Sequence, residues 1–295
     1  MRTVLPPGQE RPKATALRSR LVGSTGIYPT GAGASFTLER ALQGVRAAGL
    51  TNVELFGVQG YCEHFDVNNG DTRASARVSR LFADYGLTPV ALNVAAELNT
   101  ERGVTHFRRA AAFAEQLGAR MVVMNAESVS DETSRNAFFG HVPDIVAVAR
   151  RHGVMLALEI HGGLISTLAD GARLVERIGS EHVRVAYDIA NVVRFGSILP
   201  EVDLHENAAA IEAIAYVHLK DRSHLSEPYF SPAFGEGVID FPVVLDLLER
   251  GGYRGLLGIE SRLDGKPTSP EVVDVALRRS VTYLERIWTT AGNAP

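Results

Sequence analysis

Four residues in the second half of the chain have side chains that bind divalent cations. Each lies at the end of a short apolar run, and they are Glu159, Asp188, His218 and Glu260. One acidic residue in such a place often caps a helix, but three carboxylates held together repel one another unless a cation compensates their charge. Three oxygen ligands with one imidazole suit Mn²⁺, Mg²⁺ or Co²⁺ better than a thiolate-type zinc site. We therefore expect one divalent metal, with Mn²⁺ first and Mg²⁺, Co²⁺ and Zn²⁺ as alternatives.

The apolar runs that carry these residues belong to a unit that recurs along the chain. An amphipathic stretch ends at a glycine, as at Gly118, Gly153 and Gly179, and a near-continuous apolar run follows. Glycine after a helix adopts the left-handed conformation at little cost, and continuous apolar runs are typical of parallel strands buried on both faces. Eight such strands predict a (β/α)₈ TIM barrel over residues 21–290, preceded by a polar tail over residues 1–20.

An open, doubly wound sheet is the alternative fold for alternating strands and helices. That fold usually carries a glycine-rich phosphate turn after its first strand. Gly31 and Gly33 follow the first predicted strand, but no third glycine sits at the required spacing. The pattern favours the barrel, in which side chains at the C-terminal ends of the strands form the active site.

Composition argues against several classes of protein. The chain has 295 residues and a net charge of −4, so we expect no general attraction to nucleic acid or to an anionic membrane. Cys62 is the single cysteine, which excludes an intramolecular disulfide. No apolar run approaches the roughly 18 residues of a membrane span, and the N-terminal residues lack the apolar stretch of a secretory signal. We expect a cytoplasmic protein, and a homo-oligomer is compatible with the sequence.

Around the candidate ligands the sequence resembles the xylose-isomerase-like barrel superfamily, which contains sugar isomerases and epimerases and also the apurinic-endonuclease fold. The resemblance spans roughly residues 21–287. The motifs that carry it are Leu158-Glu159-Ile160-His161, Tyr187-Asp188, Val217-His218-Leu219-Lys220-Asp221, Gly235-Glu236-Gly237-Val238-Ile239-Asp240-Phe241 and Gly258-Ile259-Glu260.

The resemblance implies that the four candidate residues hold the metal. It also implies that Glu159 and Glu260 move protons through an enediolate while the metal stabilises the developing negative charge. The sequence departs from the pattern of the superfamily at two points. Asn191 replaces a histidine that many relatives carry three residues after the aspartate, so the resemblance does not fix the class of sugar. The additional histidine ligands of the apurinic-endonuclease branch are missing near Asn93 and in residues 230–234, which argues against DNA repair.

Several further polar residues are predicted to bind substrate. His161 and Lys220 lie two positions after Glu159 and His218, so each pair shares one face of its strand. Lys220 has an equal alternative role as the ion-pair partner of Glu260 or Asp221. The other residues predicted to contact substrate are Asn191, His224, Glu54, Asn93 and Asn125. The long connection over residues 57–73 is predicted to cover the site as a lid, and Tyr28 and Phe56 to supply apolar walls.

The leading hypothesis is a metal-dependent isomerase or epimerase of a small sugar, ketose or polyol derivative. A second enzyme class fits the same residues, namely a dehydratase of a keto-inositol-like ring, because both reactions begin by removing a proton next to a carbonyl. A third alternative is a non-catalytic sugar-binding or partner subunit that has kept the barrel. The intact set of four candidate ligands argues against that third alternative.

Overall fold

Parallel strands form a closed barrel in the computed structural model, which describes residues 17–30, 36–69, 72–227, 230–261 and 269–291. The strands are β1 (Leu21–Ser24), β2 (Asn52–Val58), β3 (Cys62–Glu63), β4 (Thr88–Asn93), β5 (Met121–Asn125), β6 (Met155–Glu159), β7 (Val183–Asp188), β8 (Ile214–Leu219) and β9 (Leu256–Ile259). Strand β1 pairs in parallel with both β2 and β9, which closes the ring, while β3 is a short antiparallel addition to β2. The predicted eight-stranded barrel is confirmed, because an open sheet would leave β1 and β2 unpaired with each other.

Helices surround this barrel in the described parts of the chain. They are α1 (Leu38–Ala47), α2 (Thr72–Asp84), α3 (Glu101–Leu117), α4 (Glu132–His152), α5 (Leu168–Ile178), α6 (Asn191–Gly196), α7 (Pro200–Glu206), α8 (Phe241–Arg250) and α9 (Pro270–Ala291). Three of them end at glycines in the left-handed conformation, with φ of 77° at Gly118, 60° at Gly153 and 65° at Gly179. These are the helix ends that the glycine pattern predicted.

The hydrophobic core has two layers. A large layer lies between the strands and the surrounding helices. A small layer fills the barrel interior, and it consists of Val22, Ala91, Met121, Val123, Ala157, Ala186 and Tyr216. The inner layer blocks the barrel axis, so that functional side chains gather at one end of a packed core.

The segment just before β1 packs onto the barrel. Leu17 is fully buried, and the Arg18 guanidinium pairs with Glu285 on α9. Arg20 pairs with Glu249 on α8. The rest of the predicted tail, residues 1–16, lies outside the described residues. Among the described helices, none combines the length and the apolar character needed to cross a membrane.

Candidate metal centre and active site

Strand register brings the candidate ligands to one end of the barrel. Glu159 and Asp188 are the last residues of β6 and β7, and His218 is the register partner of Asp188 on β8. Glu260 directly follows β9. All four side chains are buried. Adjacent parallel strands lie about 4.8 Å apart, which lets side chains from four consecutive strand ends converge.

His218 joins two groups of potential metal ligands. Atoms of Glu159, Asp188 and His218 lie within 4.8 Å of one another, and a second group of the same size combines His218 with Glu54 and Glu260. The imidazole Nδ1 is 3.1 Å from Oε1 of Glu159. Its Nε2 is 3.0 Å from Oε1 of Glu54 and 4.0 Å from Oε1 of Glu260. The two ring nitrogens therefore face different carboxylates.

Lys220 connects the remaining carboxylates. Its Nζ atom donates to Oδ2 of Asp188 at 2.7 Å and lies 2.7 Å from Oε2 of Glu260. The second oxygen of Asp188 accepts hydrogen bonds of 2.8 Å from the backbone N–H groups of Ala190 and Asn191. Asp188 thus binds the backbone at the start of α6 with Oδ1, while Oδ2 contacts the Lys220 ammonium and is the oxygen available to a metal ion.

The charges buried at this end of the barrel favour a divalent cation. The carboxylates of Glu54, Glu159, Asp188 and Glu260 are buried, and the cationic side chains that contact them are Lys220 and His218. A histidine that binds a metal is neutral, so with the carboxylates ionised four negative charges face the one positive charge of Lys220. A divalent cation would reduce this excess of three negative charges to one, and the donor set of carboxylate oxygens and one imidazole suits such an ion. The residues present therefore fit a metal.

Two shifted pKa values reflect this arrangement. Burial opposes the charged form of His218, but the charges of Glu54 and Glu260 and the hydrogen bond to Glu159 raise its pKa well above the usual range. Burial likewise opposes ionisation of Glu159, but the hydrogen bond and charge of His218 leave its pKa below the ordinary value. Without a metal, the neighbouring carboxylates therefore favour the positively charged form of His218.

A cavity of about 430 Å³ lies above the candidate metal centre, and Glu159, Lys220 and Glu260 line it, whereas His218 and Asp188 do not. Most of the residues predicted to act on substrate line it, and they are Glu159, Glu260, His161, Asn191, Lys220, Asn93 and Asn125. Asn191 also reaches Glu159, with its Nδ2 3.4 Å from Oε1. The His161 ring lies 5.0 Å from the Phe195 ring and its Nδ1 is 3.2 Å from Glu127. The structure thus brings together the last residues of β4, β5 and β6, a residue of α6, and residues that follow β6, β8 and β9.

Two residues predicted to bind substrate lie elsewhere. Glu54 is fully buried beneath the cavity, because β2 continues to Val58 and Glu54 is therefore in the middle of the strand and not at its end. The side chain of His224 is exposed, and its Nδ1 lies 2.8 Å from the hydroxyl of Ser223. Neither residue is among those that line the cavity.

The cavity walls differ in part from those expected. Phe56 lines the cavity as predicted, together with Tyr61 and Phe230. Tyr28 is buried away from it and donates a hydrogen bond of 2.7 Å to Asp274 on α9. The Tyr61 hydroxyl donates to the carbonyl of Gly26 at 2.7 Å. The described part of the predicted lid is therefore tied to the barrel at Tyr61.

Sequence reasoning missed two charged residues of the cavity, and it missed the structural role of Asp221, which it named only as an alternative ion-pair partner of Lys220. Arg194 and Glu227 line the mouth of the cavity, 3.8 Å apart. Arg194 follows Asn191 by three residues on α6, and this helical spacing could have revealed it. Asp221 accepts hydrogen bonds from the N–H groups of Gly235, Gly237 and Ile239, and so it orders the loop after β8. Glu236, in the same loop, pairs with Arg279.

Known proteins with similar sequences include several sugar enzymes. The chain is 27% identical over 277 residues to the L-ribulose 3-epimerase of Mesorhizobium japonicum, which covers 85% of this chain and 82% of that protein. It is 25% identical over 198 residues to a probable L-ribulose-5-phosphate 3-epimerase of Mycoplasma pneumoniae, which covers 65% of this chain and 63% of that protein, less than two thirds of its length. An inosose dehydratase of Halalkalibacterium halodurans is 24% identical over 218 residues, or 62% of this chain and 69% of that protein.

Solved structures share the architecture. A structure of L-ribulose 3-epimerase superposes with a TM-score of 0.71 at 20% identity, covering 92% of this chain and 95% of that one. A xylose isomerase-like barrel protein from Mycobacterium smegmatis in complex with magnesium gives a TM-score of 0.72 at 17% identity, covering 95% and 99%. At such low sequence identity, these superpositions show a shared fold. The model of the xylose isomerase-like TIM barrel family matches residues 42–281. The chain belongs to the xylose isomerase-like TIM barrel family.

Proposed function

We propose that this protein is a divalent-metal-dependent epimerase or isomerase of a small ketose or a related polyol derivative. The observation that carries the proposal is that Glu159 and Glu260 both line the cavity and both contact cationic residues of the candidate metal centre. Carboxylates in such positions can remove a proton from a carbon next to a carbonyl and return one. The two L-ribulose epimerases among the relatives support the choice of a ketose.

The metal would be held by Glu159, Asp188, His218 and Glu260. When bound, the cation would supply positive charge that stabilises the negative charge developing on neighbouring substrate oxygens. We propose Mn²⁺ as the first ion to test. The relative solved with magnesium supports a hard cation of this kind and keeps Mg²⁺ as an alternative.

Epimerisation requires two proton-transfer groups on opposite faces of one carbon. One carboxylate takes the proton from the carbon beside the carbonyl, and an enediolate results. The other group gives a proton to the opposite face, and the configuration of that carbon is inverted. In each turnover one glutamate starts ionised and takes the proton, the other starts protonated and gives one, and the two protonation states are exchanged at the end. The hydrogen bond and charge of His218 favour the ionised form of Glu159, and Glu260 lies 2.7 Å from the Lys220 ammonium. Which glutamate acts as the base would depend on which epimer is bound.

Recognition of the substrate would come from the walls of the cavity. Asn93, Asn125 and Asn191 offer amide donors and acceptors that suit hydroxyl groups, and His161 offers a ring nitrogen. Phe56 supplies an apolar face. The cavity lies within the range of about 300–1,000 Å³ that is common for small-molecule sites.

The test is proton exchange and product formation on a panel of ketoses. The purified protein, loaded with Mn²⁺ in D₂O, is incubated with L-ribulose, D-allulose, D-tagatose and an inosose, and NMR follows deuterium incorporation and new products. We expect deuterium at the carbon next to the carbonyl together with the epimer or the isomeric aldose. An unsaturated product from the inosose alone would assign the protein to the dehydratases. Binding of these sugars without exchange would support a non-catalytic subunit.

A further inference from the structure

Glu54 holds His218 from below the cavity. It lies on β2 and is fully buried, and its Oε1 atom is 3.0 Å from Nε2 of His218. The same oxygen accepts a hydrogen bond of 3.0 Å from Nδ2 of Asn93. Phe56, two residues further along β2, lines the cavity. Because a strand rises about 3.3 Å per residue, Glu54 lies roughly 7 Å deeper than Phe56 on the same face.

We propose that Glu54 is a positioning residue that fixes which nitrogen of His218 binds the metal, an inference that rests on the metal centre of the proposed function. An ionised carboxylate can only accept hydrogen bonds, so the contact with Glu54 requires a proton on Nε2 of His218. A neutral imidazole with its proton on Nε2 has its lone pair on Nδ1. That nitrogen is the one that faces Glu159. Carboxylates that orient metal-binding histidines in this way raise metal affinity.

The surroundings of His218 allow this ring orientation little freedom. Tyr216 packs against the imidazole edge to face, with ring centroids 5.0 Å apart. A side chain at Gly258 would come within 2.4 Å of the Tyr216 hydroxyl and 3.2 Å of Cδ2 of His218. The absence of a side chain at position 258 therefore makes room for both rings. Asn93 donates a hydrogen bond to the Glu54 carboxylate and so fixes its position. The His218 ring and the carboxylate that it contacts are therefore both held by neighbouring side chains.

This role differs from two alternatives for the same residue. Substrate binding, the role predicted from the sequence, would require Glu54 to reach the cavity, which it does not line. Direct metal binding would place the cation between Glu54, Glu260 and Nε2 of His218, the second group of close ligand atoms. In the positioning role, by contrast, the metal is bound through Nδ1 and Glu54 keeps the Nε2 proton.

The decisive measurement is the protonation pattern of His218 in the intact protein. Histidine labelled with ¹⁵N is incorporated, the protein is loaded with Zn²⁺ as a diamagnetic probe, and two-bond ¹H–¹⁵N correlation spectra are recorded. The signals that disappear in His218→Gln assign the residue. We expect a protonated Nε2 and a metal-bound Nδ1. Metal bound at Nε2 would overturn the proposal and support direct ligation near Glu54.

Metal affinity provides the second test. We expect Glu54→Leu to weaken binding of Mn²⁺, measured by competition with a chelator, by about 10–100-fold, as is usual for residues that orient a metal ligand. Glu54→Gln should keep part of the affinity, because its amide oxygen can still accept a hydrogen bond from the Nε2–H group. With metal at saturation, KM for substrate should change little in Glu54→Gln, because the amide oxygen can still accept the hydrogen bond from Asn93, which lines the cavity.

Asp203→Asn is the matched control for loss of a buried carboxylate. Asp203 is buried on α7 and accepts hydrogen bonds from the N–H of Leu168 and the hydroxyl of Tyr187, away from the cavity. The Asp203→Asn variant should have a lower thermal midpoint and an unchanged metal affinity. Wild-type metal affinity in Glu54→Leu would overturn the proposal, and if that variant does not fold, the wild-type spectra decide. A protein that binds metal through Nδ1 but turns over no sugar would refute the proposed activity and not the role of Glu54.

Discussion

Lys220 and Glu260 form a buried ion pair, with Nζ 2.7 Å from Oε2. The same ammonium group also contacts Asp188, so it connects two carboxylates that would hold the metal. An ammonium in this place can both compensate the buried carboxylates and stabilise an oxyanion of the substrate. Lys220 belongs to the proposed active site in either role, and a substitution can separate its effect on turnover from the effect of the metal.

Lys220→Met should reduce turnover by about 10²–10³-fold, the usual effect of removing one group that stabilises developing negative charge. Metal content should stay near one ion per chain, because the variant removes a positive charge and no proposed ligand. Steady-state kinetics with metal at saturation, together with elemental analysis, measure both quantities. Lys220→Arg serves as the control that keeps the charge. Wild-type turnover in Lys220→Met would show that the ion pair has no part in the reaction.

Protein purified without a chelator should contain about one divalent ion per chain. Since the metal binds the folded state, Mn²⁺ at a hundredfold excess over its dissociation constant should stabilise the protein by about 2.7 kcal/mol. Thermal unfolding before and after treatment with EDTA measures this gain, and His218→Gln is the variant that should show little of it. An unchanged midpoint with Mn²⁺, Mg²⁺, Co²⁺ and Zn²⁺ would argue strongly against the metal centre.

Glu159→Gln and Glu260→Gln should each lower turnover by about 10²–10⁴-fold even with excess metal, because an amide cannot take the proton. Asp188→Asn should act mainly through metal affinity, so excess Mn²⁺ should restore much of its activity. Activity measured against metal concentration distinguishes the two kinds of variant, and deuterium exchange at the substrate carbon gives an independent readout. Full exchange by both glutamine variants at saturating metal would mean that neither glutamate is the base.

Asp274→Asn should destabilise the protein at neutral pH by about 1–3 kcal/mol, the usual effect of disrupting a hydrogen-bonded partly buried carboxylate. Asp274 accepts hydrogen bonds from Tyr28 and from two nitrogens of Arg40, which tie α9 to the barrel and to α1. Burial opposes its ionisation, but the hydrogen bonds from Arg40 and Tyr28 lower its pKa below the ordinary value of 3.8.

The pH dependence follows from that lowered pKa. A carboxyl group whose folded pKa lies below the unfolded one contributes stability above the unfolded pKa, and this contribution disappears as the pH falls through the folded pKa. The difference between wild type and Asp274→Asn in urea denaturation should therefore be largest at neutral pH and shrink below about pH 4. Glu39→Gln on α1 is the control, since its exposed pair with Arg77 at 3.8 Å should contribute little at any pH. Equal differences at both ends of the pH range would contradict this account.

Local patterns in the sequence determined much of this protein. Glycines that end helices and apolar runs that follow them depend on conformational preferences and burial within one βα unit, and they predicted the barrel. The positions of Glu159, Asp188, His218 and Glu260 followed from the same repeat, because equivalent strand ends meet at one edge of a parallel barrel. The side-chain period of two also placed His161 and Lys220 on the inner face beside the proposed ligands.

Only the tertiary structure decided how deep each side chain lies in the barrel and which partner it contacts. Glu54 contacts His218 across 164 positions of sequence, and the actual length of β2 and its register with its neighbours put it beneath the cavity. Tyr28 likewise donates a hydrogen bond to Asp274 on the last helix, and no local pattern in the sequence predicts this contact. The inward or outward direction of a side chain is a local property of a strand. How far along the barrel axis it lies, and which charge it meets there, depends on closure of all eight strands, because closure fixes their relative stagger.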